Sequence, residues 1–113
     1  MTGPARGEVW YVDLEPVRGH EQAGRRPALI VSADMFNAGP AGLVVIVPLT
    51  TRDRGVPLHV TIDAPEGGVR QRSFIKCEDV RSVGISRLGQ RLGAVEPQIM
   101  AEVGDRLRTL LNL

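Results

Sequence analysis

The sequence has one cysteine, Cys77, in 113 residues. An intramolecular disulfide and a cysteine-based metal cluster are thereby excluded, and the usage fits a reducing compartment. Long hydrophobic runs are missing too. The longest, residues 43–49 (LVVIVPL), is far short of a membrane span. Residues 1–6 carry no apolar stretch of the secretory kind, so a cytoplasmic location and no membrane partner are expected. There is no Walker loop, no GxSxG and no HExxH, and the two histidines, His20 and His59, lack the spacing of a metal-ligand pair. No metal and no cofactor are expected. His59 alternates with Val60 and reads as a structural or surface residue.

What is present is ordinary globular material. An apolar fraction of 42% with 24% charged residues suits one domain spanning residues 1–113, large enough to bury a core without staples. The net charge is only +1, but 13 of the 14 basic residues are arginine. A GC-rich genome produces the same overall ratio; the clustering beside turns is the informative part. Arg18, Arg25 and Arg26 form one group, Arg52 and Arg54 a second, Arg70 and Arg72 a third, and Arg81, Arg87 and Arg91 a fourth. A guanidinium presents a planar fork to phosphate and stacks on bases, so such patches suit an RNA-binding surface.

Apolar patterning predicts a mainly β fold. Residues 8–14 (EVWYVDL) are rich in β-branched and aromatic types and read as a strand stopped by Pro16. Residues 28–31 and 43–47 are short continuous apolar runs, suited to strands buried on both faces. Residues 58–62 (LHVTI) alternate as a half-buried strand does, and residues 73–83 hold two short strands or one bent one. Glycine and proline mark loops at residues 39–42, 54–57 and 65–68. Closely spaced short strands imply a compact barrel or a strongly curved sheet.

After Gly93 the period changes. Ile99, Met100, Val103, Leu107, Leu110 and Leu111 share a helical face, with Pro97 suited to the first turn and Glu96 to the cap. The stripe reads as core or dimer interface. Gly104 costs about 1 kcal/mol against alanine in a helix, so close packing on another element is expected there.

Chemistry is suggested where strands meet loops. Arg26 precedes Pro27 and an apolar strand; Thr50, Thr51 and Arg52 follow another. Were those strands neighbours, guanidinium and hydroxyl would converge on one anion, phosphate being the natural candidate. The same residues would serve equally as a solvated rim and as turn hydrogen-bonders. Ser73 reads as a hydrogen-bonding residue at a strand start.

The order of these features resembles a known family. Residues 6–32 (RGEVWYVDLEPVRGHEQAGRRPALIVS), with their G-x-E-Q-x-G-x-R-P string, are similar to the opening of the MazF/PemK/Kid toxins. VVIVPLTT at 44–51 and SFIKCEDVRSVGISRL at 73–88 resemble the family's next two blocks. The resemblance implies an SH3-like small β-barrel of the CcdB/MazF kind with a C-terminal helix, working as a homodimer. It further implies a metal-independent endoribonuclease specific for short sequences in single-stranded RNA. Its cognate antitoxin would be MazE-like, acidic and partly disordered, and any contact with DNA would be made through the toxin–antitoxin complex.

By motif position the resemblance makes Arg26 and Thr50 catalytic. It places Arg18, His20, Glu21 and Gln22 on a loop over the RNA path, Thr51 and Arg52 beside the catalytic threonine, and Asp79 and Arg81 within reach of bases or phosphates. His20 departs from the family's usual serine and Asp79 from its usual glutamine. An arginine is a poor general base, because it stays protonated in proteins. His20 and Glu21 both stand open for that role. Two rival functions are a CcdB-like toxin that poisons gyrase without cleaving RNA, and a nucleic-acid-binding module without catalysis. The gyrase poisons depend on a tryptophan near the C-terminus, whereas this chain ends in Leu110, Leu111, Asn112 and Leu113.

Overall fold

The computed structural model describes residues 3–14 and 24–113. Its strands are β1 (Glu8–Asp13), β2 (Arg25–Ile30), β3 (Leu43–Thr50), β4 (His59–Ile62), β5 (Ser73–Lys76), β6 (Arg81–Gly84) and β7 (Leu88–Ala94). Two helices, α1 (Asp34–Asn37) and α2 (Pro97–Leu111), complete the set. The seven strands form one antiparallel sheet in the order β4-β5-β3-β2-β1-β7, with β6 also paired to β3.

Strand β3 is the hub. Its first half pairs with β6 from Leu43 opposite Gly84 to Ile46 opposite Arg81, and its last residues pair with β5, Thr50 facing Phe74. The other edge pairs with β2, Ala28 opposite Pro48. The unbroken apolar run of β3 has a use on each face, because Val44 and Ile46 enter one buried cluster and Val47 and Leu49 another. Ala28 and Ile30 join Val12, Val44 and Ile46 in one buried cluster. Leu29 and Val31, one residue out of phase, join Val9, Val47, Leu49, Val60, Ile62, Ile75 and Val103 in the larger one. Side chains alternate across a strand, so consecutive residues of β2 supply two cores. Full burial of each Val, Leu or Ile contributes about 1.5–3 kcal/mol.

The larger cluster takes residues from five strands and α2, which requires the sheet to curve around it. The expected mainly β architecture with a C-terminal helix is therefore present. Its hydrogen-bonded wall is open, however: among the described residues β4 and β7 end the strand order and do not pair with each other.

The stretch at 73–83 resolves into two strands, β5 and β6, separated by a 3-10 turn at Cys77–Asp79. Two elements were not expected, the single-turn α1 and β7. Strand β7 (LGQRLGA) has little strand propensity, but its Gly93 answers a packing demand. A Cβ on Gly93 would lie 2.8 Å from the Gly67 carbonyl carbon, and one on Gly68, at φ +80°, would overlap the Leu92 carbonyl. The 3-10 turn at Glu66–Gly68 lies directly against β7, and only glycine permits that approach.

Pro97 opens α2, and Asn112 ends it in the left-handed conformation. Glu96 occupies the cap position, but its side chain makes no capping bond; its backbone N–H donates to Glu66 Oε2 at 2.6 Å. The apolar stripe divides. Val103 is fully buried, with Ile99, Met100 and Leu107 packed on the core, whereas Leu110 and Leu111 are exposed. The close packing expected at Gly104 is not found, because a Cβ there would face only the Arg108 side chain one turn on.

Candidate active site

Gly24, at φ +76°, turns the chain into β2, and its carbonyl accepts the N–H of Leu14 at 3.0 Å. Arg25 and Arg26 follow at once. Within β2 they point to opposite faces. Arg25 pairs in register with Asp13, and Arg26 with Val12. Following the pairing of Ala28 with Pro48 two residues further brings Arg26 level with Thr50 at the end of β3. Cross-strand neighbours share a face. The two strands are thus adjacent, as convergence on one anion requires.

A cleft of about 410 Å³ opens at this point, lined by Arg26, Thr50, Thr51, Arg52, Arg54 and Lys76. Among the described residues, four cations and two hydroxyls line it without a carboxylate. Thr50 Oγ1 accepts the backbone N–H of Arg52 at 3.2 Å, which fixes the hydroxyl oxygen and directs its proton elsewhere. Asp53 stabilises the same loop from outside, accepting the Gly55 N–H at 3.0 Å. Arg26, Thr51, Arg52 and Arg54 are exposed, whereas Thr50 and Lys76 are half-buried. Such a set can grip a doubly ligated phosphate and stabilise added negative charge on it.

Arg54 and Lys76 were not singled out from the sequence as site residues. Arg54 belongs to an exposed RDR run that gives no sign of facing Thr50. Lys76 is the chain's only lysine, which was a usable signal, but its nearness to Thr50 depends on β5 pairing with β3 across a long sequence gap. Asp79 sits on the turn after β5, with Oδ2 3.9 Å from Lys76 Nζ, and meets the cleft through that lysine. Arg81 lines a separate hollow of about 250 Å³ with Leu14, Leu43, Ser82, Val83, Gly84 and Arg87. Arg18, His20, Glu21 and Gln22 lie outside the described residues.

The remaining candidates have structural settings. Ser73 is buried and donates to the Gln71 carbonyl at 3.0 Å, as expected at a strand start. His59 is almost wholly covered and lies 2.9 Å from Glu78. Burial pushes the Cys77 thiol up to about 11, the charge of Glu78 adding to the effect, so it stays protonated near neutrality and is no nucleophile. Among the described residues, no three His, Cys, Asp or Glu side chains gather to hold a metal ion. No described helix is long and apolar enough to cross a membrane.

Fold and cleft define a small, mainly β domain with an open, cationic, hydroxyl-lined site for an anion. Residues 5–111 match the model of the PemK-like, MazF-like toxins of type II toxin–antitoxin systems, and the chain belongs to that family. It is 40% identical over 111 residues to the endoribonuclease PemK of Escherichia coli, covering 95% of this chain and 81% of that one. The crystal structure of MazF from Deinococcus radiodurans superposes with a TM-score of 0.88 at 34% identity, covering 100% of both chains. An endoribonuclease from a mycobacterial species, solved in complex with its cognate antitoxin, superposes with a TM-score of 0.78 at 30% identity. That match covers 100% of this chain and 97% of the other.

Proposed function

We propose that this chain is a toxin that cuts single-stranded RNA at short sequences, without a metal, and is neutralised by a cognate antitoxin. The observation that carries the reading is the placement of Arg26 and Thr50, level with one another on β2 and β3, in a cleft of cations and hydroxyls. The endoribonuclease names of the relatives support it against a CcdB-like gyrase poison and against a non-catalytic binding module. The solved toxin–antitoxin complexes of relatives support an antitoxin partner. In this reading the active form is a homodimer.

Ribose supplies the nucleophile. The 2'-hydroxyl attacks the adjacent phosphorus, the bond to the 5'-oxygen of the next nucleotide breaks, and a 2',3'-cyclic phosphate and a 5'-hydroxyl remain. Deoxyribose has no such hydroxyl. The fork of Arg26 neutralises charge building on the phosphorane and hydrogen-bonds the departing oxygen, which takes its proton from solvent. Thr50, its oxygen held by the Arg52 N–H, donates its proton to a nonbridging oxygen and holds the group in line. Thr51, Arg52, Arg81 and Asp79, with Arg18, His20, Glu21 and Gln22 of the preceding loop, bind the RNA on either side. His20 or Glu21 takes the proton of the attacking hydroxyl.

The test is cleavage of a long single-stranded RNA in EDTA. The protein is expected to cut it, leave the matching DNA intact, and produce cyclic phosphate ends. Cleavage that persists in both Arg26→Ala and Thr50→Ala removes the site assignment, and failure to cut any RNA removes the nuclease reading.

A further inference from the structure

One buried group has no part in that mechanism. The His59 side chain is only 4% exposed, its Nε2 lies 2.9 Å from Glu78 Oε2, and its Nδ1 is buried with no hydrogen-bond partner among the described residues. A carboxylate only accepts, so Nε2 donates to Glu78, and the second ring nitrogen is left buried without a partner among the described residues. Leaving a buried polar atom unpaired costs stability. A structural histidine placed only for packing would be better replaced by an apolar residue.

Its neighbours suggest what offsets that cost. Across the β4–β5 ladder His59 stands opposite Lys76, which lines the cleft with Arg26 and Thr50. The turn after Lys76 carries two carboxylates, Glu78 and Asp79. Asp79 reaches back to the ammonium at the long distance of 3.9 Å, both side chains being mostly covered. Glu78 instead bonds His59. Between them Cys77 stays a neutral thiol, and from α2 Arg106 donates to the Pro57 carbonyl at 3.2 Å, two residues before His59.

We propose that His59 is a positioning residue of the cleft: it holds Glu78 away from Lys76, so that one carboxylate fewer competes with an RNA phosphate for the ammonium. This rests on the nuclease reading for its consequence, though not for its geometry. Without the imidazole, the Glu78 carboxylate is released beside Lys76, which stands opposite His59 across the β4–β5 ladder. The cleft then loses much of one positive charge at the position that grips substrate, while Arg26 and Thr50 are untouched.

The experiment compares wild type, His59→Gln, His59→Ala and the double variant His59→Ala with Glu78→Gln. Lys76 is the only lysine, so its side-chain NMR signals are unique and its titration can be followed without RNA. In His59→Ala its midpoint is expected to rise by about half a pH unit as a carboxylate approaches. In His59→Gln, whose amide still donates to Glu78, and in the double variant, it is expected to stay at the wild-type value. Single-turnover cleavage is expected to show KM raised about threefold to tenfold in His59→Ala, kcat within about twofold, and recovery in the double variant. Should His59→Ala fail to fold, His59→Asn, too short to reach Glu78, takes its place. A Lys76 midpoint unmoved in His59→Ala, or a KM defect that Glu78→Gln fails to rescue, overturns the proposal. A midpoint that moves as expected in a wild-type background that cuts no RNA supports the His59–Glu78–Lys76 relation and overturns the nuclease reading instead.

Discussion

Arg26 stands level with Thr50 because β2 and β3 pair with Ala28 opposite Pro48, and the ends of both strands open into one cleft. The guanidinium is exposed and takes no part in either buried cluster. Arg26→Ala should therefore leave the melting temperature nearly unchanged while slowing RNA cleavage about 10²- to 10³-fold, the usual loss for one charge-stabilising donor. Arg26→Lys keeps the charge without the fork and should recover only a small part of the rate. Single-turnover kinetics beside a thermal melt separate these outcomes; a large fall in melting temperature would show a structural role instead.

Thr50 makes a finer prediction. Its oxygen accepts the Arg52 N–H, so the hydroxyl both shapes the loop and points its own proton. Thr50→Ser should keep most activity, whereas Thr50→Val, of similar shape, should lose about 10²-fold or more in kcat. Valine also removes the loop bond, so Arg52 and its neighbours should show changed amide shifts in the valine variant alone.

Gly68 sits at φ +80° with no room for a Cβ beside the Leu92 carbonyl. Gly68→Ala should cost about 3 kcal/mol or more, combining backbone strain with a clash against β7. At Gly24, with nothing near the Cβ direction among the described residues, an alanine is strained by the positive φ, and Gly24→Ala should cost about 1–2 kcal/mol. Urea unfolding of the two variants checks the order; equal losses would contradict the contact.

That glycine also shows why part of the fold was legible in the sequence and part was not. Strands β1 and β3 announce themselves through β-branched runs, and α2 through its apolar spacing and Pro97. Nothing local in LGQRLGA indicates β7, because Gly93 is chosen for the approach of Gly67, far away in the chain. The site divides in the same way. Arg26 and Thr50 end apolar strands and match a family string, so both were visible. Lys76 meets them only through the pairing of β5 with β3, and pairing partners are not written in any one segment. Gly104 misled for the converse reason: a residue costly to a helix need not be repaid by a contact.

Cys77 and Glu8 give the stability opposite pH limits. Burial raises the Cys77 thiol to about 11 in the folded chain, so its contribution is complete below the unfolded value of 9.0 and is lost as pH climbs through about 11. Cys77→Ala should flatten that alkaline decline while costing some stability at neutral pH through the cavity it leaves. Partial burial works to raise Glu8, but the Ala5 N–H, Arg91 and Trp10 outweigh it and hold the carboxyl below its ordinary 4.5. Its contribution is present above that pH and fades as pH falls below it. Glu8→Gln should reduce the acid slope. Chemical denaturation across pH reads both limits, and an unchanged slope in either variant would reject the assignment.

The bond from the Glu96 N–H to Glu66 bears on how the molecule assembles. The first turn of α2 is completed by a carboxylate thirty residues earlier in the chain, on a turn that is itself seated against β7. A 15-residue helix with no side-chain cap of its own is marginal in water. The helix is therefore expected to consolidate after the strands. A peptide cut from this segment should be largely unstructured, and in kinetic experiments substitutions along α2 should speed unfolding more than they slow refolding.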